Sequence, residues 1–330
     1  MTRRPRSNRP PRLDAPQPRQ QASQPAEPDR PPREPTTLAR ALADRRVAGT
    51  HARLGRAEVS AVVTRLAAGH VDATLGLDLG RVTREEADAA LAAIWGTSTG
   101  GARVVIDPEH TIDAAAHASV RLAEVAARGG RIAFATGRPA SLLAGYCSIV
   151  AALGATDARI VDVGVFGPVA GSRSLWWVDS VAVVTDGASL LADDGGVCGD
   201  EWLFAVGRPD LVVADRGFAA AAVGAGLETI ALADVDAVVL GVAARRQHPV
   251  RVVPVDEQRP PGAYGPLTRA LTAGLRDPGG ESPLDGREGA AEEARRGANE
   301  LGESALGARG PHSTTPAPGA YADPESGEEG

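Results

Sequence analysis

Residues 210–236 read DLVVADRGFAAAAVGAGLETIALADVD, and this stretch decides the fold. Two short apolar runs, LVVA and TIALA, each end in an aspartate, and an alanine-rich segment long enough for a helix separates them. Short apolar runs without polar alternation are strands buried on both faces, which is how parallel strands read. Outward along the chain the pattern recurs as RIAFATGRP at 131–139, ARIVDVG at 158–164, SVAVVTDG at 180–187 and VRVVPVD at 250–256. Strands are predicted near 131–135, 158–163, 180–185, 210–214, 228–232 and 250–254, with a further one at 103–106. Helices over 113–128, 139–153, 217–225, 235–245 and 264–275 fall between or after them. The alternation predicts an α/β fold with a doubly wound, mostly parallel, Rossmann-like sheet. In such a sheet ligands bind outside the carboxyl ends of the strands, where this chain repeatedly places an acid or a Thr-Gly-Arg turn.

The ends of the 330-residue chain do not share this pattern. Residues 1–36 are rich in Pro and Arg, residues 277–330 in Gly, Glu and Ala, and neither holds enough apolar side chain to offset the entropy of ordering. Both are predicted to be disordered. The first carries eight Arg against four acids and the last four Arg against twelve, within an overall net charge of −7. Charged tails of this kind serve as solvated spacers, and no nucleic-acid partner is expected.

Residues 37–100 carry apolar positions at helical spacing: Leu38 and Leu42, then Val59, Val62, Val63 and Leu66, then Ala87 to Trp95. Thr83 with Glu86 forms a capping box at the start of the last of these helices. The segment is predicted to be a helical cap on an α/β domain spanning 101–276. GVFGPVAGSRSLWWV, at 164–178, is too glycine-rich for a helix and reads as an irregular hairpin, either a flap over the crevice or a cover for a sheet edge.

Composition excludes several chemistries. The chain has no lysine, which removes Schiff-base catalysis and a P-loop. Cys147 and Cys198 stand without a CxxC or a Cys/His cluster, so neither a disulfide framework nor a structural zinc site is expected. No GxGxxG follows a predicted strand. With no leader and no membrane-length apolar run, a cytoplasmic protein without a membrane partner is expected.

Thr136-Gly137-Arg138-Pro139 is the sharpest local signal. It follows a strand and opens a helix: Pro suits the first helical position, Gly permits the turn, and the free amides of a helix start attract an anion. Thr136, Gly137 and Arg138, with Arg216 after a later strand, are the candidate residues for binding a phosphate or a carboxylate. Asp186 and Asp215 end two strands and are the candidate catalytic carboxylates and metal ligands, with Mg²⁺ the expected ion. Asp162, Asp234, Asp236 and Asp256 end other strands, and such a ring of acids needs a cation, arginines or solvent to offset its own repulsion. As helix caps the same aspartates would be purely structural. Among the histidines, which form no HxH or HxxxH pair, His110 lies beside Asp107 and Glu109 and could join an acid/base set.

VVIDPEHTID at 104–113, followed by a helix and RIAFATGRPASLL at 131–143, resembles the opening of haloacid-dehalogenase-type phosphatases. The resemblance implies Asp107 as a nucleophile, Glu109 in place of the general acid, Thr136 as a phosphoryl ligand and Asp215 as a Mg²⁺ ligand. Glu stands where that family has Asp, and the family's phosphate-binding Lys has no counterpart. Residues 37–275 are more specifically similar to an actinobacterial α/β family that carries the label "phosphatase". The matching pieces are Ile106-Asp107-Pro108-Glu109 with Thr111, the Ala-Thr-Gly-x-Pro turn at 135–139, the run from Gly187, and Pro209 to Asp215. Members of that family carry His where this chain has Arg138 and Arg216.

The expected function is a phosphatase hydrolysing a small phosphomonoester with a divalent ion. The alternative is a non-catalytic α/β module that binds a phosphorylated or carboxylated metabolite. Either way the partner is a small anion; the oligomeric state is left open.

Overall fold

The computed structural model describes residues 36–97, 103–193 and 198–276. The predicted disordered tails lie outside the described residues. From Thr37 on, the described residues belong to one compact unit.

The chain opens with helices α1 (Thr37–Asp44), α2 (Arg56–Ala67), α3 (Val71–Thr74) and α4 (Arg84–Ala90). Between α1 and α2, strand β1 (Gly49–Thr50) pairs antiparallel with β2 (Val105–Ile106), making a small separate sheet. The Thr83/Glu86 capping box forms as expected at the start of α4. That helix then widens into a π-helical turn, Leu91–Trp95, which buries Trp95 and lets its indole N–H donate to the carbonyl of Ala233 at 2.9 Å. Helix α5 (Pro108–Ala127) follows β2, with Asp107 as its cap and Pro108 in its first turn.

The main sheet has nine strands: β3 (Arg131–Thr136), β4 (Arg159–Ile160), β5 (Val165–Ala170), β6 (Arg173–Val178), β7 (Val181–Thr185), β8 (Leu190–Leu191), β9 (Leu211–Ala214), β10 (Thr229–Ala233) and β11 (Val250–Pro254). Its order is β11-β10-β9-β3-β7-β6-β5, with β4 on β3 and β8 on β7. The strands from β11 to β7 are parallel; β6, β5 and β8 pair antiparallel. The expected α/β class, mostly parallel, is what the chain adopts. Every residue of β7, β9 and β10 is buried, as their unbroken apolar runs demand. Helices α6 (Pro139–Leu153), α7 (Gly199–Val206), α8 (Arg216–Gly224), α9 (Val238–Arg245), α10 (Gly265–Leu271) and α11 (Ala273–Arg276) flank the sheet.

Segment 164–178 becomes the β5–β6 hairpin, which extends the sheet beyond β7. Trp176 pairs with Val183 on β7 and with Val165 on β5, so the hairpin is the sheet's own edge. Predicted strand 103–106 is displaced to the small sheet because β1 takes its hydrogen bonds.

The chain enters the main sheet at β3, builds toward β5 on one side, then returns to the other side of β3 with β9, β10 and β11. That reversal makes β3, between β7 and β9, the switch point at which an open α/β sheet forms its crevice. Among the described residues no helix is long and apolar enough to cross a membrane.

Candidate functional site

Beyond the carboxyl ends of β3, β9, β10 and β11 lies a buried network of charge. Asp215 follows β9 and is fully buried; its Oδ1 accepts the amide N–H of Gly137 at 2.7 Å, fastening the turn after β3 to the neighbouring strand. The amide of Arg138 donates to Thr136 Oγ1 at 2.9 Å. Gly137 has no room for a side chain: a Cβ there would stand 2.7 Å from the carbonyl oxygen of Asp193. Two amides expected to grip an anion are thus engaged within the protein.

The arginines carry the positive charge of the crevice. Arg216, at φ 49°, sits in the left-handed region, which a side chain adopts only when its surroundings impose it. Its Nε contacts Glu257 Oε2 at 2.5 Å, and its Nη1 and Nη2 reach Asp236 at 2.8 and 3.1 Å. Glu257 also stands 3.6 Å from Arg138 Nε, while its Oε1 accepts the amide of Asp234 at 3.0 Å. Burial pushes Asp215 up to about 6, against the hydrogen bonds of Thr136 and Gly137 and the nearby arginines, and it also raises Glu257, against the pull of Arg216. Among the described residues Asp215 Oδ2 has no hydrogen-bond partner, and the buried hydroxyl of Tyr146, raised by its own burial, stands against the same carboxylate.

A second group is assembled by the small sheet. β1 delivers His51 to the ends of β10 and β11, where its Nε2 lies 2.9 and 3.1 Å from the oxygens of Asp234 and 3.8 Å from Asp256. The backbone joins the same elements, since the amide of Asp256 donates to Val47 and that of His51 to Val104. Burial lowers the imidazole's pKa, and the carboxylates of Asp234, Asp256 and Asp236 more than offset it, so the net shift is upward. Ligand-type atoms of His51, Asp234 and Asp256 all lie within 4.8 Å of one another, making these residues a candidate metal triad. One imidazole and two carboxylates, all buried, form a donor set that divalent ions accept. In the present arrangement His51 Nδ1 accepts the amides of Leu54 at 2.8 Å and Arg53 at 3.2 Å, so the ring proton sits on Nε2, facing Asp234. Were an ion held on Nε2, the ring proton would have to move to Nδ1, and the amides of Arg53 and Leu54 that now donate there would have to turn away.

Arg65, Asp72, Arg138, Arg216 and Asp236 share the wall of a cavity of about 120 Å³ with Val62 and Ala73. The structure thus brings the predicted Arg138 and Arg216 together. Asp186 lies elsewhere: it is exposed, its Oδ1 accepts the amides of Ala188 and Ser189, and those bonds lower its pKa. It follows β7, which β3 separates from the strand carrying Asp215, so the two predicted metal ligands are not on neighbouring strands. Asp107 caps α5 through the amide of Glu109 and follows a strand of the small sheet, not of the sheet that carries Thr136. Glu109 is exposed. His51 and Glu257 escape a reading built on strand ends, because one comes from the helical segment and the other from one residue beyond a strand-end acid. The sole sequence sign of His51 is the break Gly49-Thr50-His51 between two amphipathic helices.

A family model described as Phosphatase matches residues 33–276. The chain belongs to the Phosphatase family. Phosphatase SCO2771 of Streptomyces coelicolor is 32% identical over 226 residues, which span 64% of this chain and 86% of the relative. No solved structure matches. The family resemblance read in residues 37–275 is therefore the right one, and the crevice at the sheet's switch point is the place to look for its chemistry.

Proposed function

We propose that this member of the Phosphatase family hydrolyses a small phosphomonoester at the cavity between α2, α3 and the ends of the central strands. The observation that carries the reading is the pair Arg138 and Arg216 on the wall of one cavity of about 120 Å³, beside Arg65. Guanidinium groups match phosphate oxygens in geometry and stay charged at every working pH. The volume corresponds to about four waters. It suits a phosphoryl group and falls well short of the roughly 300 Å³ at which larger ligand pockets begin.

In this reading Arg138 and Arg216 bind the phosphoryl oxygens and offset the charge that builds up as the ester bond breaks. Glu257 is a positioning residue that aims both. Asp215 is another, because it ties the turn bearing Arg138 to β9. His51, Asp234 and Asp256 are the proposed holders of a divalent ion, which would polarise a phosphoryl oxygen or activate water. An imidazole donor favours Mn²⁺ or Zn²⁺ over the Mg²⁺ expected from carboxylates alone.

Phosphate release from a panel of sugar, nucleotide and amino-acid phosphates, with Mg²⁺, Mn²⁺ and Zn²⁺ in turn, tests the proposal. Turnover of a small ester, lost in Arg138→Ala and Arg216→Ala, is expected. Binding of the esters without release under every metal condition would instead favour an anion-binding module.

A further inference from the structure

The cavity has a floor and a roof of different character. Its floor residues, Arg138, Arg216 and Asp236, stand just beyond the ends of the central strands and are joined by ion pairs that include buried Glu257. Its roof is helical, with Arg65 from α2 and Asp72 from α3 beside buried Val62 and Ala73. Arg65 and Asp72 are exposed, and neither makes an ion pair with another described residue. Their charges are opposite, they share one wall, and they are uncommitted. Fixed arginines below suit a tetrahedral dianion whose position must not vary. A free cation and a free anion above suit a second group that carries both signs.

We propose that the substrate is the phosphomonoester of a small zwitterionic alcohol, a hydroxyl-bearing α-amino acid, with its carboxylate on Arg65 and its ammonium on Asp72. The inference rests on the phosphatase reading and adds the identity of the leaving group. Neither charge alone accounts for the roof. A phosphorylated carboxylic acid would leave Asp72 facing its own carboxylate, and a phosphorylated amine would set its ammonium beside Arg65, each a like-charge contact that disfavours the ligand. A neutral polyol phosphate would use neither side chain. The cavity holds the phosphoryl group, so the amino-acid moiety lies at its solvent-facing rim, where Arg65 and Asp72 are exposed.

The test pairs binding with turnover, using O-phosphoserine, phosphoethanolamine, phosphoglycolate, glycerol phosphate and inorganic phosphate on the full chain. Calorimetric affinity for O-phosphoserine at least tenfold above phosphoethanolamine and phosphoglycolate is expected. In Arg65→Ala the preference over phosphoethanolamine should collapse toward unity; in Asp72→Asn the preference over phosphoglycolate should do so. Both sites are exposed, and an unchanged thermal midpoint will certify the fold of each variant. Hydrolysis of all the esters with equal affinity would overturn the zwitterion and leave the phosphatase reading standing. Selective binding of O-phosphoserine without hydrolysis would support the recognition and overturn the catalysis. Binding of none of the probes would sink both.

Discussion

The guanidinium of Arg216 meets the carboxylate of Glu257 at 2.5 Å, with the two side chains 4% and 0% exposed. The same carboxylate lies 3.6 Å from Arg138, so one buried acid orients the two arginines that face the cavity. A buried ion pair adds little net stability when complete, because desolvation offsets the attraction; removing one partner leaves the other charge stranded.

Glu257→Gln should therefore lower stability by about 3 kcal/mol and weaken inhibition by inorganic phosphate about tenfold or more. Urea denaturation and a phosphate inhibition constant measure the two effects. An unchanged urea midpoint would mean that the pair is not held as described.

Asp215 gives the stability a pH dependence of definite sign. Its folded pKa, about 6, lies above the ordinary 3.8, so the folded chain keeps a proton that the unfolded chain releases. Its contribution to stability is complete below about pH 4, falls as pH rises to about 6, and is flat above that. Asp215→Asn keeps an oxygen for the Gly137 amide and abolishes the decline. The variant should gain on the order of 3 kcal/mol relative to the parent between pH 4 and 7. Denaturation at a series of pH values checks this, and parallel curves for the two proteins would refute it.

Gly137→Ala should lose both stability and activity. The added methyl meets the Asp193 carbonyl at 2.7 Å and the Cβ of Arg216 at 3.3 Å, and the first of these is backbone with little freedom to retreat. A cost of about 1–3 kcal/mol is expected from the forced shift. Thermal melting and turnover on the same preparation should fall together.

Gly241 and Trp95 should be coupled. A Cβ at Gly241 would stand 2.6 Å from Cζ3 of the Trp95 ring, so Gly241→Ala is expected to destabilise by about 1–3 kcal/mol. Trp95→Phe removes that part of the ring but also the indole bond to Ala233. The double variant should be more stable than the sum of the two losses, by about 1 kcal/mol in a double-mutant cycle. Strict additivity would count against the contact.

His51→Gln should abolish uptake of one equivalent of Mn²⁺ or Zn²⁺ that the parent shows by calorimetry. Parent uptake should weaken as pH falls, since a doubly protonated imidazole offers no lone pair to an ion. Equal uptake by both proteins would move the ion away from the His51, Asp234 and Asp256 group.

Much of the sheet could be read in the chain because parallel strands buried on both faces leave unbroken apolar runs. β3, β7, β9, β10 and β11 fall within a residue or so of their predicted spans, and α6 matches its own. The short strands were harder, since β1, β2, β4 and β8 have only two residues each, too few for any periodicity to register. Helix α7 was missed because its sequence, GDEWLFAV, follows glycines at 195 and 196 and offers barely two turns. The Thr136–Arg138 turn and Asp215 were legible as strand ends. What the pattern could not convey was which groups would be consumed internally, as the Gly137 amide is by Asp215. Nor could it bring His51 across 183 residues to Asp234, a meeting set by the two-residue pairing of β1 with β2.

The cavity wall draws on two parts of the chain that obey different constraints. The contribution of the turns after the central strands is locked into an ionic lattice in which few exchanges are tolerated, whereas Arg65 of α2 and Asp72 of α3 are solvent-facing side chains whose replacement scarcely disturbs the interior. Mutation can therefore sample new roofs while the floor stays the same. Divergence among relatives should concentrate there, and selectivity could be retuned by redesigning a handful of surface positions.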